Sequence, residues 1–157
     1  MSKATSKPRF LVCEDGREYI ERFDRYLGDS FDFTACRDFD TLLVELDRSH
    51  DASGILLDLD FRRANPAGLV DELGRPIGPV GKERILRYAS NQGLCIVSGL
   101  RHRGHRQIVM LFADIDAAQQ REFLTREFAP LELVPSYVGL SELKRRLDEL
   151  GAKGTLA

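Results

Sequence analysis

The 157 residues are 43% hydrophobic and 31% charged, the balance of one globular domain with a real core and not of a disordered chain. Twenty-three basic against 25 acidic side chains give a formal net charge of −2, without the concentrated basic surface that nucleic-acid binding draws on. No window nears the ~20 apolar residues of a membrane span, and the polar start does not resemble a signal peptide.

Residues 9–13 (RFLVC) are a compact apolar run that predicts a first strand. Gly16 follows, then Tyr19, Ile20, Phe23, Tyr26 and Leu27 at helical spacing. Residues 31–36 (FDFTAC) alternate as a strand near a sheet edge does. A second helix carries Phe39, Leu42, Leu43 and Leu46, with Asp38 or Asp40 as its cap. Residues 54–57 (GILL) are wholly apolar, the pattern of a central parallel strand, and run into Asp58-Leu59-Asp60.

Residues 62–80 hold Pro66, Pro76, Pro79 and several glycines, which argues against helix or central strand. Residues 82–91 suit a short helix with Ile85, Leu86 and Ala89 on one face. Residues 94–100 read as helix, because 107–112 (QIVMLF) is the better strand. A helix through Phe123, Leu124 and Phe128 follows, capped by Asp114 or Asp116, and then a strand over 131–134. Leu140, Leu143, Leu147 and Leu150 line a last helix, each worth ~1.5–3 kcal/mol on burial. Residues 1–7 read as a flexible start and 151–157 as a frayed tail around a single domain, 8–150. Five strands alternating with five helices, plus an insertion over about 62–92, predict an α/β doubly wound parallel sheet.

The cysteines, Cys13, Cys36 and Cys95, form no C-x-x-C pair, so neither a zinc site nor a disulfide framework is expected, and a reducing cytoplasm is the expected location. In a doubly wound sheet, functional groups gather beyond the carboxyl ends of the strands. Two strands here end in acids, Glu14-Asp15 and Asp58 with Asp60. Taken singly, each is read as a solvated loop residue; taken together, they converge on one crevice if the strands are neighbours. Such a cluster calls for protonation, basic partners or a divalent cation, and oxygen ligands with room for water suit Mg²⁺.

These stretches resemble the response-regulator receiver domain over residues 8–150, apart from the insertion. Residues 9–15 (RFLVCED) are similar to its opening strand and acidic pair, and 55–60 (ILLDLD) to the third strand with its phosphoacceptor. Residues 93–104 are similar to the helix after the phosphorylation loop, and 107–112 to the fourth strand. The resemblance implies a flavodoxin-like five-stranded sheet of order 2-1-3-4-5, interrupted between strand 3 and helix 3. It implies Asp58 as phosphoacceptor, with Mg²⁺ held by Glu14, Asp15, Asp58 and the backbone carbonyl of Asp60. It implies a stand-alone signalling protein of a two-component phosphorelay, not an enzyme beyond phosphorylation and dephosphorylation of itself. A sensor histidine kinase or phosphotransfer protein would act on it, and its output would be contact with a downstream protein. Homodimer or partner contact would use the fourth helix, fifth strand and last helix, which offer Arg121, Glu122, Arg126, Lys144, Arg145 and Asp148.

The pattern also breaks. Where receivers carry a Ser or Thr ending the fourth strand, this chain has Phe112 and then Ala113. Where they carry a Lys ending the fifth, it has Val134 and Pro135. Each lost charge-assisted hydrogen bond removes ~1.5–3 kcal/mol from a phosphorylated state. Arg62, Arg63, Lys82 and Arg84 of the insertion are candidates to return a positive charge, and the insertion itself is read equally as a lid, a partner surface or a passive excursion.

A phosphorylation-independent pseudo-receiver, working by contact alone, is therefore the alternative. A third reading takes Asp58-Leu59-Asp60 as the D-x-D of a haloacid-dehalogenase-type phosphatase with Ser98, against which stand the late position of that strand and Lys82 preceding the serine. The 78–82 stretch (GPVGK) lacks P-loop spacing. His102 and His105 lie in an arginine-rich run (101–106) that suits a helix end better than a metal site or a nucleic-acid interface.

Overall fold

The computed structural model describes residues 7–155. The expected flexible start lies outside them except for Lys7, whose Nζ donates to the Gly28 carbonyl.

Five short strands make one parallel sheet: β1 (Arg9–Cys13), β2 (Asp32–Cys36), β3 (Gly54–Asp58), β4 (Val109–Phe112) and β5 (Leu131–Val134), in the order β2-β1-β3-β4-β5. β1, β3 and β4 are buried almost throughout, which is why their sequences are apolar runs and β2 at the edge alternates. Parallel strands need crossovers, and six helices appear among the described residues. α1 (Glu18–Leu27) and α6 (Leu140–Thr155) cover one face, packing Ile20, Phe23, Leu143 and Leu147 against Phe10, Val12, Leu56 and Met110. α2 (Phe39–Arg48), α4 (Gln92–His102) and α5 (Ala118–Glu127) cover the other, where Leu42, Ile96, Leu100 and Leu124 meet Leu11, Ile55, Leu57 and Leu111.

The insertion is ordered and contributes to the second core. From the end of β3 the chain makes a one-turn 3₁₀ helix at Pro66–Gly68, then a small hairpin in which Val70 pairs with Pro76, then α3 (Lys82–Ser90). Leu69 and Val70 are buried, and so is Phe61, whose N–H donates to the Ala89 carbonyl. Gln92 is also buried; its amide accepts from Val70 N–H at 2.8 Å and donates to Val70 C=O at 2.9 Å, as a neighbouring strand would.

Two expectations fail locally. Neither Asp114 nor Asp116 caps α5, which begins at Ala118 without a side-chain cap; Asp114 instead accepts hydrogen bonds from the N–H and hydroxyl of Ser136. The last helix continues beyond Leu150 to Thr155, with Gly151 buried beside Pro8, so residues 151–155 are helix and not tail. Asp38, by contrast, caps α2 reciprocally with Thr41. No helix of the described residues is long and apolar enough to cross a membrane.

Candidate functional site

The register of β1 against β3 sets Cys13 beside Leu57, so Glu14-Asp15 and Asp58 leave the sheet at the same end, on neighbouring strands. Asp15, Asp58, Asp60, Arg62 and Arg63 line one open cleft of about 400 Å³ there. α4 begins directly beneath it. A Cβ on Gly93 would run into the carbonyl oxygen of Asp58 and lie 2.8 Å from Leu59 Cα, so only glycine lets the helix start this close to the strand end.

Each acid has a defined local partner. Glu14 is almost fully buried and turns away from the cleft, its two oxygens accepting from the N–H groups of Tyr19 (3.1 Å) and Ile20 (2.9 Å) in the first turn of α1. Burial raises its pKa, and those two donors offset part of the rise. Asp15, with a side chain only 2% exposed, accepts from the Arg63 backbone N–H at 2.9 Å and from its guanidinium at 3.3 Å. The same guanidinium reaches both oxygens of Glu18. It holds the Glu18 carboxyl down at about 2. Asp60 accepts from the backbone N–H of Arg62 at 2.9 Å and from its Nε at 2.7 Å. Asp58 accepts from the Leu59 N–H at 2.9 Å. Burial pushes its carboxyl up to about 6; the Leu59 amide opposes the shift, and the charges of Asp15 and Glu14 add to it.

The side chains of Glu14 and Asp15, expected to hold a divalent cation, and that of Asp60 are bonded here to protein donors. Both oxygens of Glu14 serve α1, both of Asp15 face Arg63, and both of Asp60 face Arg62. No three His, Cys, Asp or Glu side chains come together among the described residues in a way that could hold a metal ion. Of the four insertion cations expected near the pocket, Arg62 and Arg63 reach it. Lys82 and Arg84 ride on α3 outside the cleft, Arg84 lying over the Tyr88 ring.

The other half of the site is apolar. Phe112, paired with Asp58 in the sheet register, stacks on Tyr19 at 4.9 Å between centroids and lies 5.9 Å from Phe23. Ala113 and Val134 are buried, and Pro135 lines a separate small hollow with Tyr137. Tyr19 is thus a site residue that sequence reading assigned only to a helix core. Its phenol is pushed up to about 12 by burial, with Asp58 and Glu14 adding to the shift.

The remaining candidates resolve into structure. Ser98 lies inside α4 and donates to the Glu72 carbonyl, so the serine that a dehalogenase-type phosphatase needs at a strand end is absent from this cleft. Arg101 donates to the carbonyls of Phe128, His105 and Pro130, tying α4 to the start of β5, while Arg103 covers the Phe39 ring. The three cysteines are buried, and burial pushes the Cys36 and Cys95 thiols up to about 12, away from the reactive thiolate.

No protein-family model matches the sequence, and no curated protein does. Solved structures are similar in fold. The receiver domain of the Francisella response regulator 1452 shares 14% identity at a TM-score of 0.64, with 94% of this chain and 98% of that one covered. The signal receiver domain of a Luxo repressor protein from Vibrio parahaemolyticus gives 14% and 0.64, with 96% and 95% covered. The non-phosphorylated HemR receiver domain from Leptospira biflexa gives 18% and 0.60, with 93% and 95% covered. The chain has the receiver fold, and its strand order is the one expected.

Proposed function

We propose that this chain is a receiver-type signalling module that works through protein contact and not through metal-dependent phosphorylation of Asp58. One observation carries the reading: each place where receiver chemistry places a cation or a polar hand is filled by something else. Arg63 lies against Asp15, Phe112 is packed into an aromatic stack, and Val134-Pro135 end β5. A transferring phosphoryl group needs preorganised positive charge and donors around its equatorial oxygens. Here the strand-end positions on the β4–β5 side hold apolar side chains in place of donors, and the Ser136 N–H and hydroxyl are taken by Asp114.

Contact would use the face of α5, β5 and α6, where Phe123 and Tyr137 are 49% and 81% exposed among the charges of Arg121, Arg126 and Lys144. Its partner would be a downstream protein or a second copy of the chain, with a sensor kinase or phosphotransfer protein upstream only under the second reading. That reading is Mg²⁺-dependent phosphorylation at Asp58, and the cleft shared by Asp15, Asp58 and Asp60 favours it. It requires the Arg63 guanidinium to give up Asp15.

The test is a two-dimensional amide NMR titration with Mg²⁺ and then beryllofluoride, on wild type and Asp58→Asn. The contact reading expects no beryllofluoride-dependent shifts in either protein. Shifts spreading from Asp58 to β4 and β5 in wild type, and lost in Asp58→Asn, would overturn it.

A further inference from the structure

We infer that Arg63 is the resident cation of the acidic cleft, a specificity-determining residue whose guanidinium excludes divalent ions from Asp15. The inference deepens the contact reading and rests on it.

Three independent features build this position. The first is the anchoring of the loop: Phe61 is buried, its N–H bonded to Ala89, and the Ala64 N–H returns to the Phe61 carbonyl, so the turn that carries Arg63 is fixed at both ends. The second is double engagement of Asp15, by the Arg63 backbone N–H and by the guanidinium, on a carboxylate that is itself nearly inaccessible. The third is a berth. A Cβ on Gly16 would meet only the flexible, exposed ends of Glu18 and Arg63, so the bare glycine leaves the pair room to lie as it does.

The chemistry follows from charge and shape. A guanidinium is planar, permanently charged and suited to sharing two carboxylates, and it is less strongly hydrated than an ammonium. Mg²⁺ needs near-octahedral oxygen ligands with lone pairs directed at it. The Asp15 oxygens already accept from Arg63, and a second cation arriving beside the first meets its repulsion. Glu18 completes the device. It is the first residue of α1, and its two oxygens accept from the guanidinium that also reaches Asp15, with both side chains largely exposed.

The probe is Mg²⁺ alone, followed by the amide shifts of Asp15 and Asp58 in full-length wild type, Arg63→Ala, Arg63→Lys and Gly16→Ala. Arg63→Ala keeps the backbone N–H on Asp15 and removes only a side chain that is 61% exposed, so the fold persists. Its Mg²⁺ affinity is expected to rise at least tenfold over wild type. Gly16→Ala keeps every charge and displaces only flexible, exposed side-chain ends, and should bind Mg²⁺ close to wild type. Arg63→Lys keeps the charge but loses the fork that spans Asp15 and Glu18, and should fall between wild type and Arg63→Ala.

Equal Mg²⁺ affinity in wild type and Arg63→Ala, whether both bind or neither does, would overturn the inference. Beryllofluoride decides the contact reading separately: a response in wild type sinks that reading, whereas a response confined to Arg63→Ala leaves both standing.

Discussion

The two halves of the strand-end cleft are built in opposite ways. Beyond β1 and β3 the chain keeps four acids, Glu14, Asp15, Asp58 and Asp60; beyond β4 and β5 it presents Phe112, Ala113, Val134 and Pro135. The acids look like a chemical site until their partners are traced. Glu14 holds the start of α1, Asp15 and Asp60 hold the insertion through Arg63 and Arg62, and Asp58 bonds the amide that follows it. Carboxylates at a strand end can thus be kept by local folding needs alone. The apolar half has no such double meaning, because Phe112 offers nothing to a phosphoryl group. The informative residues in this cleft are the apolar ones on the β4–β5 side.

If that contrast is right, the largest cost of mutation lies on the apolar half. Phe112 is 2% exposed and packs on Tyr19 and Phe23, so Phe112→Ala should lose about 3–5 kcal/mol in urea unfolding. A loss under ~1 kcal/mol would mean the stack is incidental and the position open to polar groups. The acidic half should show a structural cost of its own. Glu14→Ala leaves two amides of α1 without acceptors in a buried setting, for about 2–3 kcal/mol, with the helix start losing amide-exchange protection first. An unchanged midpoint would return Glu14 to the cleft as an uncommitted ligand.

The sheet was readable because burial writes itself into composition. Residues 54–57 and 108–112 are apolar because β3 and β4 are covered on both faces, and the alternation in 31–36 marks the edge strand β2. The strand-end acids were readable for the same reason: they follow those runs immediately. Their partners were not. That Arg63 and not Lys82 reaches Asp15 depends on a turn fixed by Phe61 and Ala89, a contact of 28 residues' separation that no periodicity encodes. Gln92 shows the same limit. It reads as a polar residue at a helix start, yet it completes the Val70 backbone from inside the core. Residues 151–155 continue α6 past the boundary expected for a tail, and the small size of Gly151 is what allows the helix past Pro8.

The smallest effect expected is at Asp58, and its pH dependence separates a bare carboxylate from one serving a cation. In the folded chain its carboxyl is raised from 3.8 to about 6, chiefly by burial. The native state therefore binds the proton more tightly than the unfolded chain does. The group's favourable contribution is complete below about pH 4 and is lost as pH rises through 6. Asp58→Asn keeps an acceptor for the Leu59 N–H and removes the charge at every pH. It should match wild type near pH 4 and be more stable by about 1–2 kcal/mol above pH 7, after allowance for solvent screening of a half-buried group. Unfolding curves at pH 4, 5.5 and 7.5 would show the gap opening through that window. A substitution that instead destabilises the protein at pH 7.5 would mean that Asp58 is ionised and paired in the native state, and the acidic half would then be chemistry after all.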